Sequence, residues 1–497
     1  MRRVLVANRG EIALRIIRAC HEEGLQAVAV YSAVDRTSPH VRAADRAVGI
    51  GPAAPSQSYL SIERILDAAA ESGADAVHPG YGFLAERADF AEAVERAGKI
   101  FVGPPATAIR AMGSKTEARR RMQAAGVPIV PGAVAPAEDL KAALTAAGDV
   151  GYPVMVKAAA GGGGKGMRVV RGPEGLAAAL ETARSEALKA FGDPTVYLEK
   201  FIEHPRHVEI QILADDERTI HLGERECSIQ RRHQKLVEEA PSVAVTADLR
   251  RRMGAAAVAA ARAVGYRSAG TCEFLLTPDG SFYFLEMNTR IQVEHPVTEL
   301  VYGVDLVREQ LRIASGGTIR VSHDQLEPRG WAVECRITSE DPENGFLPAT
   351  GRIGYLRAPA GPGVRWDSGV GIGDEVTLYY DSMLAKLIVW APSRKEALNR
   401  MTQALEELVI TGVATNQALH RRLMLDPAFQ RGEIDIQFLE RRADLLAPTP
   451  SSDTIQELAV AAALAEAEAR NTHRVLTSPD GARSGEWARQ ARIEGLR

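Results

Sequence analysis

The chain has 497 residues, 45% of them apolar, and sets 60 lysines and arginines against 64 acids for a net charge of −4. That length predicts two to four domains and a large core, and the near balance of charge gives no global reason to expect nucleic acid or an anionic membrane as a partner. No apolar run approaches the ~18 residues of a membrane span. The N-terminal MRRVLVANRG enters a strand pattern at once, leaving no room for a leader. Cys20, Cys227, Cys272 and Cys335 form no CxxC pair, as expected of a cytoplasmic protein whose thiols hold no metal.

Taken in order, residues 4–7 form an apolar run, 10–23 read as a helix and 26–32 as a second strand. Short strands at 46–50, 76–78 and 100–103 then alternate with helices near 61–72 and 87–97, the pattern of a doubly wound parallel sheet. The first turn, Asn8-Arg9-Gly10-Glu11, is not GxGxxG, so no dinucleotide is expected. His78-Pro79-Gly80-Tyr81-Gly82-Phe83 follows a strand, where open α/β sheets bind ligands; a Gly/Pro turn around a packed Tyr81 fits the pattern equally well.

A helix starting at Met112-Gly113-Ser114-Lys115 ends before Gly126-Val127-Pro128, and Pro131-Gly132 opens a new unit. There a strand at 153–157 leads through a glycine-rich loop into a strand at 167–170, a helix at 174–189 and a strand at 195–201. The loop GGGGKGMR is no P-loop, because Lys165 is followed by Gly166 and a strand comes next. Four successive glycines suit either a mobile flap, whose amides could approach phosphates, or a plain surface loop; Lys157 just before it favours the flap. The charge-dense stretch 224–239 reads as a solvated face, 301–315 as one helix, and 447–452 as a linker to a tail with a helix reaching about 470 and a basic stretch around Trp487.

The most informative stretch is TCEFLLTPDGSFYFLEMNTRIQVEH, from Thr271 to His295. Asp279-Gly280 signals a hairpin, and a two-residue loop there sets Glu273 opposite Glu286. Facing carboxylates repel, and a divalent cation between them turns that repulsion into attraction. From Glu286 the polar residues come at every second position, through Asn288, Arg290, Gln292 and Glu294. In an extended chain they share one face for on the order of 26 Å. That is too long for one small ligand, so the first part should hold metal and phosphate and the second an anionic substrate.

The ordered set ANRGEIALRI, HPGYGFL, MGSK, YPVMVKAAAGGGGKGMR, EKFIEHPRHVEIQ, ERECSIQRRHQKLVEEAP, EMNTRIQVEHPVTE, ECRI and YYDSMLAKLI resembles biotin carboxylase, a member of the ATP-grasp superfamily, over residues 1 to about 445. The resemblance implies an α/β fold, α+β overall: a doubly wound N-terminal domain (1–113), a linker helix (114–130), a lid (131–203), a C-terminal catalytic domain (204–446) and a tail (447–497). It implies that ATP phosphorylates bicarbonate to carboxyphosphate, whose CO2 carboxylates biotin on a partner. Lys115, Lys157 and the flap Gly161, Gly162, Gly163, Gly164, Lys165 and Gly166 match phosphate binders. Glu199, Lys200, Ile202, His207, Gln230 and His233 match the rest of the ATP site. Glu273, Glu286 and Asn288 match ligands of Mg2+ (or Mn2+). Lys235, Arg290, Gln292, Val293 and Arg336 match the bicarbonate and biotin site, Glu294 its general base, and Tyr81 a residue near the ureido ring. The expected partners are a biotin carboxyl carrier protein and a carboxyltransferase, with a homodimer of this chain. Two other readings are an ATP-grasp ligase with a different acceptor, against which RIQVEH argues, and an ATP-binding scaffold without turnover.

Overall fold

In the computed structural model of the chain, residues 1–132, 140–158, 167–320, 327–446 and 452–472 are described. They divide into two units, Met1–Ala447 and Pro448–Arg497. In the second, a helix spans Ser452–Thr472, with Val460 and Leu464 exposed on it. The stretch around Trp487 and the flap at 161–166 lie outside the described residues.

The first unit opens with five short parallel strands, β1 (Arg3–Val6), β2 (Gln26–Tyr31), β3 (Arg46–Gly49), β4 (Ala76–His78) and β5 (Ile100–Phe101), in the order β3-β2-β1-β4-β5. Their side chains are apolar on both faces: Val4, Val6, Ala27 and Ala29 pack on one side, Leu5, Val28, Val30 and Val77 on the other. Such strands are buried twice over, which is why they read as unbroken apolar runs. The order reverses between β1 and β4, so the loops after these two strands meet at the crevice where such sheets place ligands. Asn8 ties the loops together, donating from Nδ2 to the carbonyls of Pro79 and Tyr81, each at 2.7 Å.

A small antiparallel sheet follows, with β6 (Val154–Ala158) between β7 (Arg168–Val170) and β8 (Val196–Lys200). Val154 and Val156 are buried, and strand alternation turns Lys157 to the opposite face.

The largest sheet has eight antiparallel strands, joining β9 (Arg206–Ala214), β10 (Thr219–Arg231), β11 (Gln234–Ala240), β12 (Ser268–Leu276), β13 (Phe282–Asn288), β14 (Trp331–Thr338), β19 (Val364–Ser368) and β21 (Met383–Ala391). Its order is β13-β12-β9-β10-β11-β14-β21-β19. The short strands β15 (Glu340–Asp341) with β16 (Leu347–Pro348), β17 (Gly351–Arg352) with β20 (Glu375–Val376), and β18 (Tyr355–Arg357) with β22 (Val409–Thr411) brace the surrounding loops. The helix Ala247–Arg262 covers the half of the sheet around β9, and Arg394–Glu407 covers the half around β21.

Four expectations are corrected here. The stretch 224–239 is no solvated face: it forms β10 and β11 in the middle of the large sheet, with Glu224, Arg225, Glu226, Glu238 and Glu239 buried. Internal pairing makes this possible, as where Arg250 Nε meets Glu224 at 2.6 Å and Arg394 Nε meets Glu239 at 2.7 Å. Residues 301–315 are not one helix, because Gly303 adopts φ +66° and closes His295–Tyr302, and Asp305 then caps Leu306–Ala314. The hairpin loop has three residues, not two: Thr277 N donates to Ser281 O at 2.9 Å and Gly280 takes φ +81°. Leu276 therefore pairs with Phe282, but a bulge at Leu285 restores the count, so Glu273 still faces Glu286.

The run from Glu286 is extended only to Asn288, where edge strand β13 ends. The chain then turns, closed by His295, whose Nδ1 lies 2.7 Å from the Gln292 carbonyl, and Glu294 becomes the residue preceding a helix.

Candidate active site

Between the small sheet and the edge of the large one lies a cavity of about 280 Å³, walled by Lys115, Lys157, Tyr197, Glu199, Phe284 and Glu286 among others. Lys157 reaches it from β6 and pairs with Glu199 of β8 at 2.6 Å; Arg119 takes the other Glu199 oxygen at 2.8 Å. Lys115 is the first residue of its helix, which Ser114 caps. Burial lowers the Lys115 pKa, with Glu286 acting against it. Two ammonium groups facing a carboxylate floor suit a polyphosphate bound with a divalent cation.

The described walls omit five of the residues matched to the ATP site. Lys200 Nζ donates to the Gly151 and Tyr152 carbonyls, each at 2.9 Å, fastening β8 to the start of β6. Ile202 lies just past β8, Gln230 is buried in β10, and His233 sits exposed in the β10–β11 turn with φ +68°. His207 lies deeper, 3.0 Å from Glu273.

The two hairpin carboxylates have opposite surroundings. Glu273 accepts from Lys235 Nζ at 2.9 Å, Asn288 Nδ2 at 2.9 Å and Gln292 Nε2 at 3.1 Å. Burial acts to raise its pKa, but Lys235 first and His207 next hold it well below the usual carboxylate range. Glu286 accepts no hydrogen bond among the described residues, and burial followed by the Glu273 charge pushes its pKa up. A carboxylate that repels its neighbour, with the Asn288 amide beside it, is the oxygen-rich donor set a hard divalent cation takes, so these residues fit Mg2+.

Past Asn288 the turn delivers a second cluster. Lys235 Nζ donates to Glu209 at 2.6 Å, Glu273 at 2.9 Å and Glu294 at 2.7 Å. Arg336 holds the other Glu294 oxygen at 2.9 Å and donates from Nε to Glu238 at 2.6 Å. Glu294 is fully buried; burial alone would raise its pKa, yet Lys235 and then Arg336 hold it well below the ordinary range. Glu238 goes the other way: burial outweighs Arg336 and pushes it up to about 7. Arg290 is aimed by Glu86, which accepts from its Nε at 3.0 Å, and by contacts to Gln292 Oε1 and Asn288 Oδ1, both 3.0 Å. Tyr81, in the loop after β4, donates its hydroxyl to Glu11.

The structure thus joins Lys235, Arg290, Gln292, Glu294 and Arg336 in one place, next to Glu273. Sequence reading missed Glu86, Arg119, Glu238, Arg225 and Lys386. Arg225 is wholly buried and donates from Nε to Glu209 at 2.5 Å and from Nη1 to Gln211 and Thr298, so it fixes the floor under Lys235. One available signal was the placement of His207, Glu209 and Gln211 on a single strand face. The four cysteines are free and buried, with the Cys227 Sγ 4.0 Å from Glu294.

A doubly wound domain, a small antiparallel sheet and a large sheet enclosing a phosphate-type cavity define an ATP-grasp ligase. Family profiles match nearly the whole first unit: "Biotin carboxylase, N-terminal domain" over residues 1–109, "Carbamoyl-phosphate synthase L chain, ATP binding domain" over 114–322 and "Biotin carboxylase C-terminal domain" over 334–441. The chain is 55% identical to the biotin carboxylase of Nostoc sp. over 439 residues, 88% of this chain and 98% of that one. It is 53% identical to a pyruvate carboxylase subunit of Methanothermobacter thermautotrophicus, over 88% of this chain and 89% of that protein. Among solved structures, the biotin carboxylase domain dimer of Hydrogenobacter thermophilus 2-oxoglutarate carboxylase, in complex with MgADP, ADP and bicarbonate, superposes with a TM-score of 0.85 at 48% identity, covering 90% of this chain and 99% of that one. Campylobacter jejuni biotin carboxylase with a β-γ-ATP ligand gives 0.85 at 44% identity over 89% and 99%. This chain belongs to the biotin carboxylase family. It is an ATP-dependent ligase.

Proposed function

We propose that the chain uses ATP and bicarbonate to carboxylate N1′ of biotin on a carrier protein, through carboxyphosphate, releasing ADP and phosphate. The observation that carries this reading is the convergence of Glu294, Lys235, Arg336 and Arg290 beside a cavity bearing Lys115 and Lys157. Lys115 and Lys157 bind the phosphates; Glu286, Glu273 and Asn288 hold Mg2+, which neutralises phosphate charge when bound. A small planar anion suits a guanidinium fork and an ammonium, which Arg290 and Lys235 offer beside Gln292 and the Val293 backbone.

The two cations that act most strongly to hold Glu294 low, Lys235 and Arg336, are groups that a bound anion would also engage. Their diversion to bicarbonate raises the proton affinity of Glu294 towards the range a general base needs. Arg336 then steadies carboxyphosphate, and Arg290 the developing charge on the biotin ureido oxygen near Tyr81.

Residues 131–203 act as the lid in this reading. The carboxyltransferase partner, not this chain, selects the final acceptor, proposed here as an acyl-CoA of the acetyl or propionyl type. In this reading the chain works in the cytoplasm as a homodimer, as the Hydrogenobacter biotin carboxylase domain forms a dimer; among the described residues no helix is long and apolar enough to cross a membrane. The test is ADP release in the presence of Mg2+. It should depend on bicarbonate and rise with free biotin; release indifferent to both would sink the reading. Biotinylated partners recovered from native cells with streptavidin would identify the acceptor.

A further inference from the structure

Lys386 is among the largest fully buried side chains of the protein. It lies mid-strand in β21, between Arg336 of β14 and Asp367 of β19 as direct cross-strand neighbours. Burying a lysine is costly unless its charge is met and its protons are placed. Here Nζ donates to the carbonyl oxygen of Val293 at 2.8 Å and pairs with Glu11 at 3.1 Å. Glu11 in turn accepts from the Tyr81 hydroxyl.

Close packing fixes this meeting point. Gly369, just past β19, lies so near the start of the helix Gly10–Glu22 that a Cβ there would sit 2.7 Å from the Glu11 amide nitrogen and 2.8 Å from Gly10 Cα. One turn along the same helix, Arg15 binds Glu299 at 2.8 Å, and Arg365 binds the other oxygen of that carboxylate at 2.7 Å. The first helix is thereby locked against β19 and the helix His295–Tyr302. Its Glu11 is thus set where Lys386 and Tyr81 meet.

We infer that Lys386, held by Glu11, is a positioning residue: it clamps the Val293 carbonyl and so orients the Val293–Glu294 peptide that aims the base. This rests on the role proposed for Glu294. The turn carrying Glu294 belongs to neither a strand nor a helix, and Val293 offers the carbonyl nearest the base on its N-terminal side. Without the clamp, the aim of Glu294 is left to Lys235 and Arg336 at the carboxylate itself, both of which engage substrate, and to the closure of the turn by His295 at the Gln292 carbonyl. The titratable and charged groups facing Lys386 are Glu11 from the first helix, Asp367 from β19, Arg336 and Glu334 from β14, and His295 from the helix after Glu294. Of these, Glu11 alone forms an ion pair with it.

The test compares Lys386→Met with the double variant Glu11→Gln/Lys386→Met, which leaves no uncompensated charge behind. Both should bind MgADP within about twofold of the parent, because the nucleotide cavity is untouched. The maximal rate of bicarbonate-dependent ADP release should fall by about 10²-fold in both, the scale of a misplaced catalytic group. Hydrogen exchange gives a readout independent of turnover: the amides of residues 292–295 should exchange at least about tenfold faster in the double variant, with β14 and β21 unchanged. A folded double variant with parental exchange at 292–295, or with a rate within threefold of the parent, overturns the inference. Should neither Met variant fold, Glu11→Gln alone decides, with faster exchange at 292–295 expected and unchanged exchange fatal. If the parent itself releases no ADP in response to bicarbonate, the proposed function falls while the exchange result still judges the clamp.

Discussion

The two principal sheets bury opposite kinds of side chain. In the parallel sheet both faces are lined by valine, leucine, isoleucine and alanine. The antiparallel sheet keeps one face apolar and gives the other to Glu209, Arg225, Lys235, Glu238, Glu273, Arg336 and Lys386. A well-packed apolar set of similar volume would be as stable or more so, because desolvating each ion costs several kcal/mol that its partners only partly return. Charge inside a sheet is therefore retained for what it does. The parallel sheet is scaffold, and the loops at its crevice reach across to the charged one.

The largest expected effect belongs to the charged face. Glu294→Gln should cut bicarbonate-dependent ATP cleavage by about 10²–10⁴-fold while nucleotide affinity stays nearly intact. Retention of more than about a tenth of parental turnover would place the base elsewhere. Lys235→Met strands three buried carboxylates, Glu209, Glu273 and Glu294, and should cost about 3–5 kcal/mol in urea unfolding. An unfolding midpoint that does not move would mean water, not the ammonium, meets those charges.

The apolar sheet should behave otherwise. Leu5→Ala leaves a cavity in a fully buried site and should cost about 2–5 kcal/mol, with turnover per folded molecule unchanged. A large drop in rate there would erase the contrast. Glu286→Gln should raise the Mg2+ needed for half-maximal activity by about tenfold or more, yet leave metal-free thermal stability level or slightly higher, since it removes repulsion from Glu273. Equal loss of metal-free stability would make the pair structural.

The smallest effect is a pH slope. Burial keeps His420 neutral, lowering its pKa to about 4 despite a contact to the Arg336 carbonyl at 2.8 Å; burial likewise lowers His40 to about 4 and His78 to about 3. The unfolded chain takes up these protons below about 6.5 and the folded one does not. Stability is thus complete above pH 6.5 and declines as pH falls towards 4. His420→Gln should flatten part of that slope in melts between pH 7 and 4; an unaltered slope would show that the ring is already protonated in the folded state.

The parallel sheet was legible in the sequence because doubly buried strands read as apolar runs, and the crevice loop because it follows one of them. The facing of Glu273 and Glu286 was also legible, although a loop one residue longer than counted was cancelled by a bulge that no pattern announces. The extended run to Glu294 was not, since the chain loses its neighbouring strand after Asn288 and the turn rests on His295. Residues 224–239 misled because charge density looks alike whether water or partners distant in sequence satisfy it. Lys235 meets Glu273 and Glu294 across 38 and 59 residues, and local pattern carries no trace of such pairings.

The Arg290 contact to Glu86 spans 204 residues and runs from a loop of the parallel sheet to the turn bearing Glu294. Together with Arg15 and Glu299 it means that the segment matched as the N-terminal domain is not an interchangeable cassette. A hybrid that takes residues 1–109 from one relative and the remainder from another inherits half of each such pair from each parent. Its success as a chimera is set by whether the two halves still correspond, more than by overall identity; complementation by hybrids built with and without a matched Glu86 and Arg290 would measure how far this one seam limits recombination within the family.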